Sequence, residues 1–409
     1  MISPHDRTIL RDLARRVADA AALPVMAERR REWVRHNGLR PGRPMILIFP
    51  EGGWRELMPP ESLACEGDRA RQMEGDLCRR LYTHEHFRDD AVVEAEWLVP
   101  KAVRTTGWGL APEWRDAPTP TGAGTFQPVI HTAADLAKLR FPRVSHDEAA
   151  TADAMDEALE LFGDILRVEA RGAAHVSFHL MSIYTHLRGL EEVMLDMVLA
   201  PAMLHDAMAF LEEGHRRLIA QYEALNLLSP NHDGTYHSSG GVGYTDELPA
   251  PGFDPGRVRP RDMWASAEAQ ELAQVSPRMH AEFSMEYEKR LLAPFGLTGY
   301  GCCEDLTRKL DDVLAIPHIR RISIAPTADV AACAAKIGRR AIFSWKPNPA
   351  HLVGAFNEPA LRAYIAHTLD VAAGGCALEM ILKDTHTCEG RPERFDRWAE
   401  IARQCVDAL

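Results

Sequence analysis

The chain has 409 residues, 46% of them hydrophobic and 26% charged, which is ordinary for a globular protein with a large core. Its net charge of −12 argues against nonspecific binding to nucleic acid or to an anionic membrane. No apolar run approaches the ~20 residues needed to cross a bilayer. The N-terminus lacks a signal-peptide pattern, and eight irregularly spaced cysteines read as the reduced thiols of a cytoplasmic protein.

Residues 3–37 read as an amphipathic helical arm, with Leu10, Leu13, Ala14 and Val17 at helical spacing and an interruption at Pro24. Its arginines form a solvated or subunit-facing surface, the latter as in a homodimer. The arm, residues 1–44, leads into a barrel domain spanning 45–409. Residues 45–49 (Met-Ile-Leu-Ile-Phe) form a continuous apolar run, as expected for a strand buried on both faces. A helix is expected over 71–82 and a second strand over 91–99. The Gly-, Pro- and Thr-rich stretch 104–145 reads as an excursion over a barrel mouth. A helix over 149–166 precedes a third strand at 175–180, and helical material over 189–226 breaks near Pro201. A fourth strand is placed around Leu227. The glycine-rich loop 233–243 lacks both the P-loop ending and the Rossmann spacing, and reads as a substrate-lining loop within a second mouth insertion, 231–272.

From residue 276 strand and helix alternate. Strands are expected at 295–301, 319–324, 341–344 and 377–382, with helices at 278–292, 305–315, 327–337, 358–373 and 393–406. Eight strands separated by helices define an α/β protein, a (β/α)8 TIM barrel with an N-terminal helical extension.

Reactive groups in such a barrel gather at the C-terminal ends of the strands. Those positions are Glu51 and Trp54 after the first strand and His179 at the third. The fourth offers Asn231, His237 and Asp246, with Glu268 and Gln270 in the following insertion. The fifth carries Cys302, Cys303 and Glu304. The seventh ends at Lys346 and the eighth at Lys383, His386 and Cys388. Thiolates combined with imidazole or carboxylate suit zinc, so Cys302 or Cys303 can pair with His386 or Cys388, completed by Glu304 or Glu379. Metal-free use of the same groups competes with this. Lys346 and Lys383 read as carboxylate or phosphate anchors, or as salt-bridge partners of Glu379 or Asp384. Glu379 lies within an apolar strand, where an unpaired charge is costly, which marks it as partnered or catalytic.

Several of these stretches resemble the uroporphyrinogen decarboxylase superfamily, which includes corrinoid-dependent methyltransferases. They are Ser276-Pro277 with the following helix into Pro294-Phe295-Gly296, the Gly301-Cys302-Cys303-Glu304 turn, the run 322–326 (Ile-Ser-Ile-Ala-Pro), and the run 345–349 (Trp-Lys-Pro-Asn-Pro). The resemblance runs from about Met45 to the C-terminus. In the methyltransferase branch, a His-x-Cys after the fifth strand and a later Cys hold zinc. Here Cys303 falls on the family cysteine and Gly301 on the histidine, so Cys302 or Glu304 would have to substitute. His386 and Cys388 both suit the second location.

The resemblance implies a methyltransferase moving a methyl group between a small-molecule donor and a corrinoid (cobalamin). There is no Asp-x-His-x-x-Gly signature, so the corrinoid is expected on a partner protein. Glu304, His237, Glu268 and Glu379 are the expected acid–base groups, and Glu51, Trp54, His179, Asn231, Asp246, Gln270, Lys346 and Lys383 the expected substrate contacts. The alternatives are a decarboxylase or lyase for a small carboxylated substrate, and a noncatalytic ligand-binding protein. Glu51-Gly-Gly-Trp54 lacks the arginine pattern of the porphyrinogen decarboxylases themselves.

Overall fold

The apolar runs that alternate with helices form one parallel sheet. In this computed structural model, which describes all residues except 1, 116, 118–123 and 238–239, its strands are β1 (Met45–Ile48), β2 (Ser177–Phe178), β3 (Trp264–Ala267), β4 (Leu297–Tyr300), β5 (Ile319–Ile324), β6 (Ile342–Trp345) and β7 (Ala377–Leu382). They lie in the order β2-β3-β4-β5-β6-β7-β1, so the first strand in the chain pairs with the last, Met45 opposite Glu379. Five of the seven, β1, β3, β4, β6 and β7, are buried on nearly every residue, as their unbroken apolar runs require.

Seven strands replace the expected eight. The run at 91–99 forms a strand at Glu96–Pro100, but it pairs with Arg167–Arg171 in a separate two-stranded sheet. The edge of β1 instead meets residues 89–90, where the Asp90 and Asp89 carboxylates accept the N–H groups of Ile46 and Ile48 at 2.8 and 3.1 Å and Asp90 N donates to Ile46 O at 2.9 Å. The segment around Leu227 contributes only an isolated bridge, Ala173 to Leu228. Asn231 just beyond it spends its side chain on backbone, accepting from Trp264 N at 2.9 Å and donating to Trp264 O and Ala174 O at 3.0 and 2.6 Å. The strand falls at β3, whose Trp-Ala-Ser-Ala run is too short and too small-sided to stand out in sequence. Among the described residues no ladder joins β1 to β2.

Strands that are not neighbours in the sheet converge on one short loop, which requires the sheet to curl. Val242 and Tyr244 pack with Met45 and Leu47 of β1 and Ile381 of β7. Gly243 O accepts from the Trp264 indole of β3 at 3.0 Å, and Val242 O accepts from Arg321 of β5 at 3.2 Å. The loop is glycine-rich because it runs against these side chains. Gly241 has φ +76°, and a Cβ there would lie 2.5 Å from the Arg321 guanidinium. Gly241→Ala is therefore expected to destabilise the protein by about 1–3 kcal/mol, measured as a lower urea midpoint with an unchanged slope.

The arm is two helices, Pro4–Ala21 and Pro24–Asn37. The first shares a second core with helices Asp68–Tyr82 and Glu148–Phe162 and with Trp97. The second carries His36 and Asn37 to the buried charges of β5 and β7. Among the described residues of the excursion 104–145 none lines the cavity at the strand ends. Its described residues form two nested antiparallel strand pairs, Val103–Thr105 with Val144–His146 at its base and Glu113–Arg115 with Thr125–Gln127 within. They pack on the outer helices Leu180–Arg188 and Pro201–Ala224, where Phe126 meets His186 and Phe141 stacks on Phe210, at 4.0 and 4.4 Å between ring centres. No single helix among the described residues is long and apolar enough to cross a membrane.

Candidate active site

Strand alternation brings the first wall of the site together. His175, Ser177 and His179 are two residues apart along β2 and its flanks, so their side chains share a face. All three line a cavity of about 440 Å³ at the C-terminal edge of the sheet. Tyr236 and Glu268 add to this wall, and Glu51, Gly301, Cys302 and Lys383 line the rest. His179 Nδ1 is hydrogen-bonded to the buried Glu268 carboxylate. Glu268 Oε2 also accepts from Gln270 N at 2.9 Å, which fixes the carboxylate on the ring. With Nδ1 engaged, Nε2 is the nitrogen left to exchange a proton with a bound molecule.

The thiol wall depends on one backbone position. Gly301 has φ +95°, and a Cβ would meet Leu306 at 2.6 Å, so only glycine turns β4 sharply enough to present the pair that follows. Cys302 N donates to Glu304 at 2.7 Å and Cys302 O accepts from Ser323 at 2.8 Å. Glu304 also receives Ala269 N at 3.4 Å, so one buried carboxyl ties the thiol turn to the chain beside Glu268. Burial, and then the charge of Glu268, pushes its pKa up to about 6. The helix expected from residue 305 begins only at Leu310, because Asp305 instead accepts Thr307 N at 2.8 Å in a turn.

Cys302 Sγ and Cys303 Sγ lie 3.5 Å apart, and Cys303 Sγ is 3.5 Å from Asp384 Oδ2. The hydrogen bond from Cys302 draws the Cys303 thiol below its ordinary pKa; burial opposes this and the Lys383 ammonium assists it. Cys302 is held protonated by the same pairing and by burial. Burial acts against the charge on Lys383, but its 2.8 Å bond to Asp384 and the two nearby thiols outweigh it. Tyr236 keeps its phenol proton, through burial and then through the neighbouring acidic groups.

Other expected site residues serve the interior. Glu379 is fully buried and accepts from Arg321 Nε at 3.0 Å and from Ser344, with His36 Nε2 at 3.1 Å. It belongs to this buried ion-pair network and is not among the residues lining the cavity. Lys346 is buried, donates to Ser344 O and Oγ at 2.8 and 2.7 Å, and is not among the residues lining the cavity. Burial, opposed by Glu379, brings its pKa down to about 7. His237 is buried against Trp264 and bonded to Asn231 O at 2.8 Å, with burial pulling its pKa down to about 3. Asn231 is a backbone clamp, Asp246 forms an exposed pair with Arg40, and Trp54 lines a different cavity beside Arg79 and Asp233. Gln270 contributes its backbone, and its side chain is exposed.

The donor set for zinc does not assemble. Cys388 is buried and donates to Glu56 at 3.0 Å, burial raising its pKa to about 11, and His386 lies against Gly52. Among the described residues no three His, Cys, Asp or Glu side chains are placed to share a metal ion. These residues do not fit the expected centre.

Fold and site together define an α/β protein with a polar cavity at the C-terminal edge of a curled parallel sheet. No protein-family model matches the chain, and no curated protein matches it. Among solved structures it is similar to a methyltransferase from Methanosarcina mazei, with a TM-score of 0.48 and 12% identity over 92% of this chain and 97% of that one. That likeness is too distant to carry an argument.

Proposed function

We propose that the protein is a group-transfer enzyme of methyltransferase type, acting on a small polar methyl donor on an interrupted β/α barrel formed by residues 45–409. One observation supports this reading: the His179–Glu268 pair, the Cys302 thiol and Lys383 line the same cavity. A proton donor opposite an ammonium and a neutral thiol is an arrangement for holding a polar donor and breaking a bond to a leaving heteroatom.

In this reading Tyr236 and Lys383 orient the polar end of the donor, and imidazolium His179 delivers a proton from Nε2 to the departing heteroatom. Glu268 stabilises the charged ring. The methyl acceptor is a corrinoid that belongs to a partner protein, so this chain's part is confined to binding the donor, excluding water and moving the proton. The lyase alternative drew on Lys346, Lys383 and His179 to hold a carboxylate and on His237 or Glu268 as acid or base; of these, His179, Glu268 and Lys383 are among the described residues that line the cavity.

The test is anaerobic incubation with reduced cobalamin and a panel of methylated amines, ethers and thiols, following the methylcobalamin absorbance. Methyl transfer is expected with at least one donor class and should survive Cys388→Ser. Release of CO2 from a carboxylated compound without cobalamin, or saturable binding across the panel without turnover, would overturn the assignment.

A further inference from the structure

We propose that Cys302 and Cys303 are a two-electron redox site that takes a hydroperoxide and closes reversibly to a disulfide between adjacent residues. Closure removes the thiol from the cavity and stops group transfer. The second statement rests on the function proposed above; the first does not.

The geometry is already close to the product. The sulfurs are 3.5 Å apart, and a disulfide of ~2.04 Å requires them to approach by roughly 1.5 Å. The roles are unequal. Cys303 is exposed and sits beside Asp384 and near the Lys383 ammonium, so it is the thiol that meets an oxidant; Cys302 faces the cavity and resolves. The other six cysteines are buried or half-buried. Burial raises Cys65 to a pKa of about 12 and Cys333 to about 11, so reaction is confined to the pair. The turn is held at Cys302 N by Glu304 and at Cys302 O by Ser323. Closing the small ring between neighbours works against that hold, and a strained disulfide is readily reduced again.

The Cys303 thiolate attacks the terminal peroxide oxygen. The S–O bond forms as the O–O bond breaks, and the departing alkoxide takes a proton to become an alcohol. Cys302 then attacks the Cys303 sulfenic sulfur. The S–S bond forms, the S–O bond breaks, and the hydroxide combines with the Cys302 proton as water. Two thiols are oxidised and one hydroperoxide is reduced to alcohol and water.

Intact protein treated with a small excess of hydrogen peroxide should lose two of its eight titratable thiols. The peptide containing both residues should become lighter by two hydrogens, and dithiothreitol should restore both readings. In Cys302→Ser, Cys303 should stop at a sulfenic acid that dimedone captures. An unchanged thiol count in the wild type, covalent dimers, or irreversible oxygenation of Cys303 in place of the disulfide would overturn the redox site without reference to any turnover. A disulfide that forms while methyl transfer continues at its full rate would overturn the shut-off.

Discussion

Replacing His179 by alanine is expected to lower the rate of methyl transfer by about 10²–10⁴-fold, the range a positioned general acid contributes. Nδ1 is committed to Glu268, so the ring has one orientation and one nitrogen for the substrate. Glu268→Gln should preserve the shape of the wall while losing the charge that stabilises the imidazolium. It should therefore reduce turnover by less than His179→Ala. Donor affinity, read as KM, should move little in Glu268→Gln. Steady-state kinetics of the two variants side by side decide the matter, and undiminished turnover in His179→Ala would remove the imidazole from the mechanism.

The largest stability effect is expected at Glu379. Its carboxylate is the common partner of Arg321, His36 and Ser344 in the buried interior, and Glu379→Ala strands the Arg321 guanidinium, which is 1% exposed. Removing one member of a buried ion pair costs about 3–5 kcal/mol, a large share of the ~5–15 kcal/mol that holds a typical domain together. Urea unfolding at neutral pH should show this loss directly. Burial by itself would raise the pKa of Glu379, but Arg321, His36 and Lys346 outweigh it and hold the carboxyl well below its ordinary 4.5. Its contribution is therefore complete above pH ~4.5 and declines as acid is added below that point. The difference in stability between wild type and Glu379→Ala should shrink on acidification; a constant difference down to pH 3 would contradict the assigned charge state.

The second half of the fold is legible in sequence because its strands are buried on both faces and their helices carry a clean 3.6-residue period. The region before Ser276 is harder to read, since pairing there passes through side chains. Asp89 and Asp90 stand in for a neighbouring strand, and Asn231 bridges Ala174 and Trp264. No hydrophobic pattern records such contacts. At the site, Glu51, His179, Cys302 and Lys383 could be picked out by their place after a strand, and Glu268 by its place in the mouth insertion. His175 and Ser177 were available from two-residue alternation, while Tyr236 comes from an irregular loop with no signal. Lys346 and Glu379 are the instructive exceptions. Both are polar residues in or beside apolar strands, a feature that marks a satisfied interior charge as readily as a catalytic one, and only their partners tell the two apart.

The carboxylates along the open side of β1 have a consequence for behaviour in crowded solution. An unprotected strand margin recruits other chains by adding them one after another, the route by which sheets propagate into fibrils. By occupying the Ile46 and Ile48 amides with acids from its own chain, the molecule leaves an incoming strand no ladder to extend, and its sheet can stay unsealed without becoming a seed.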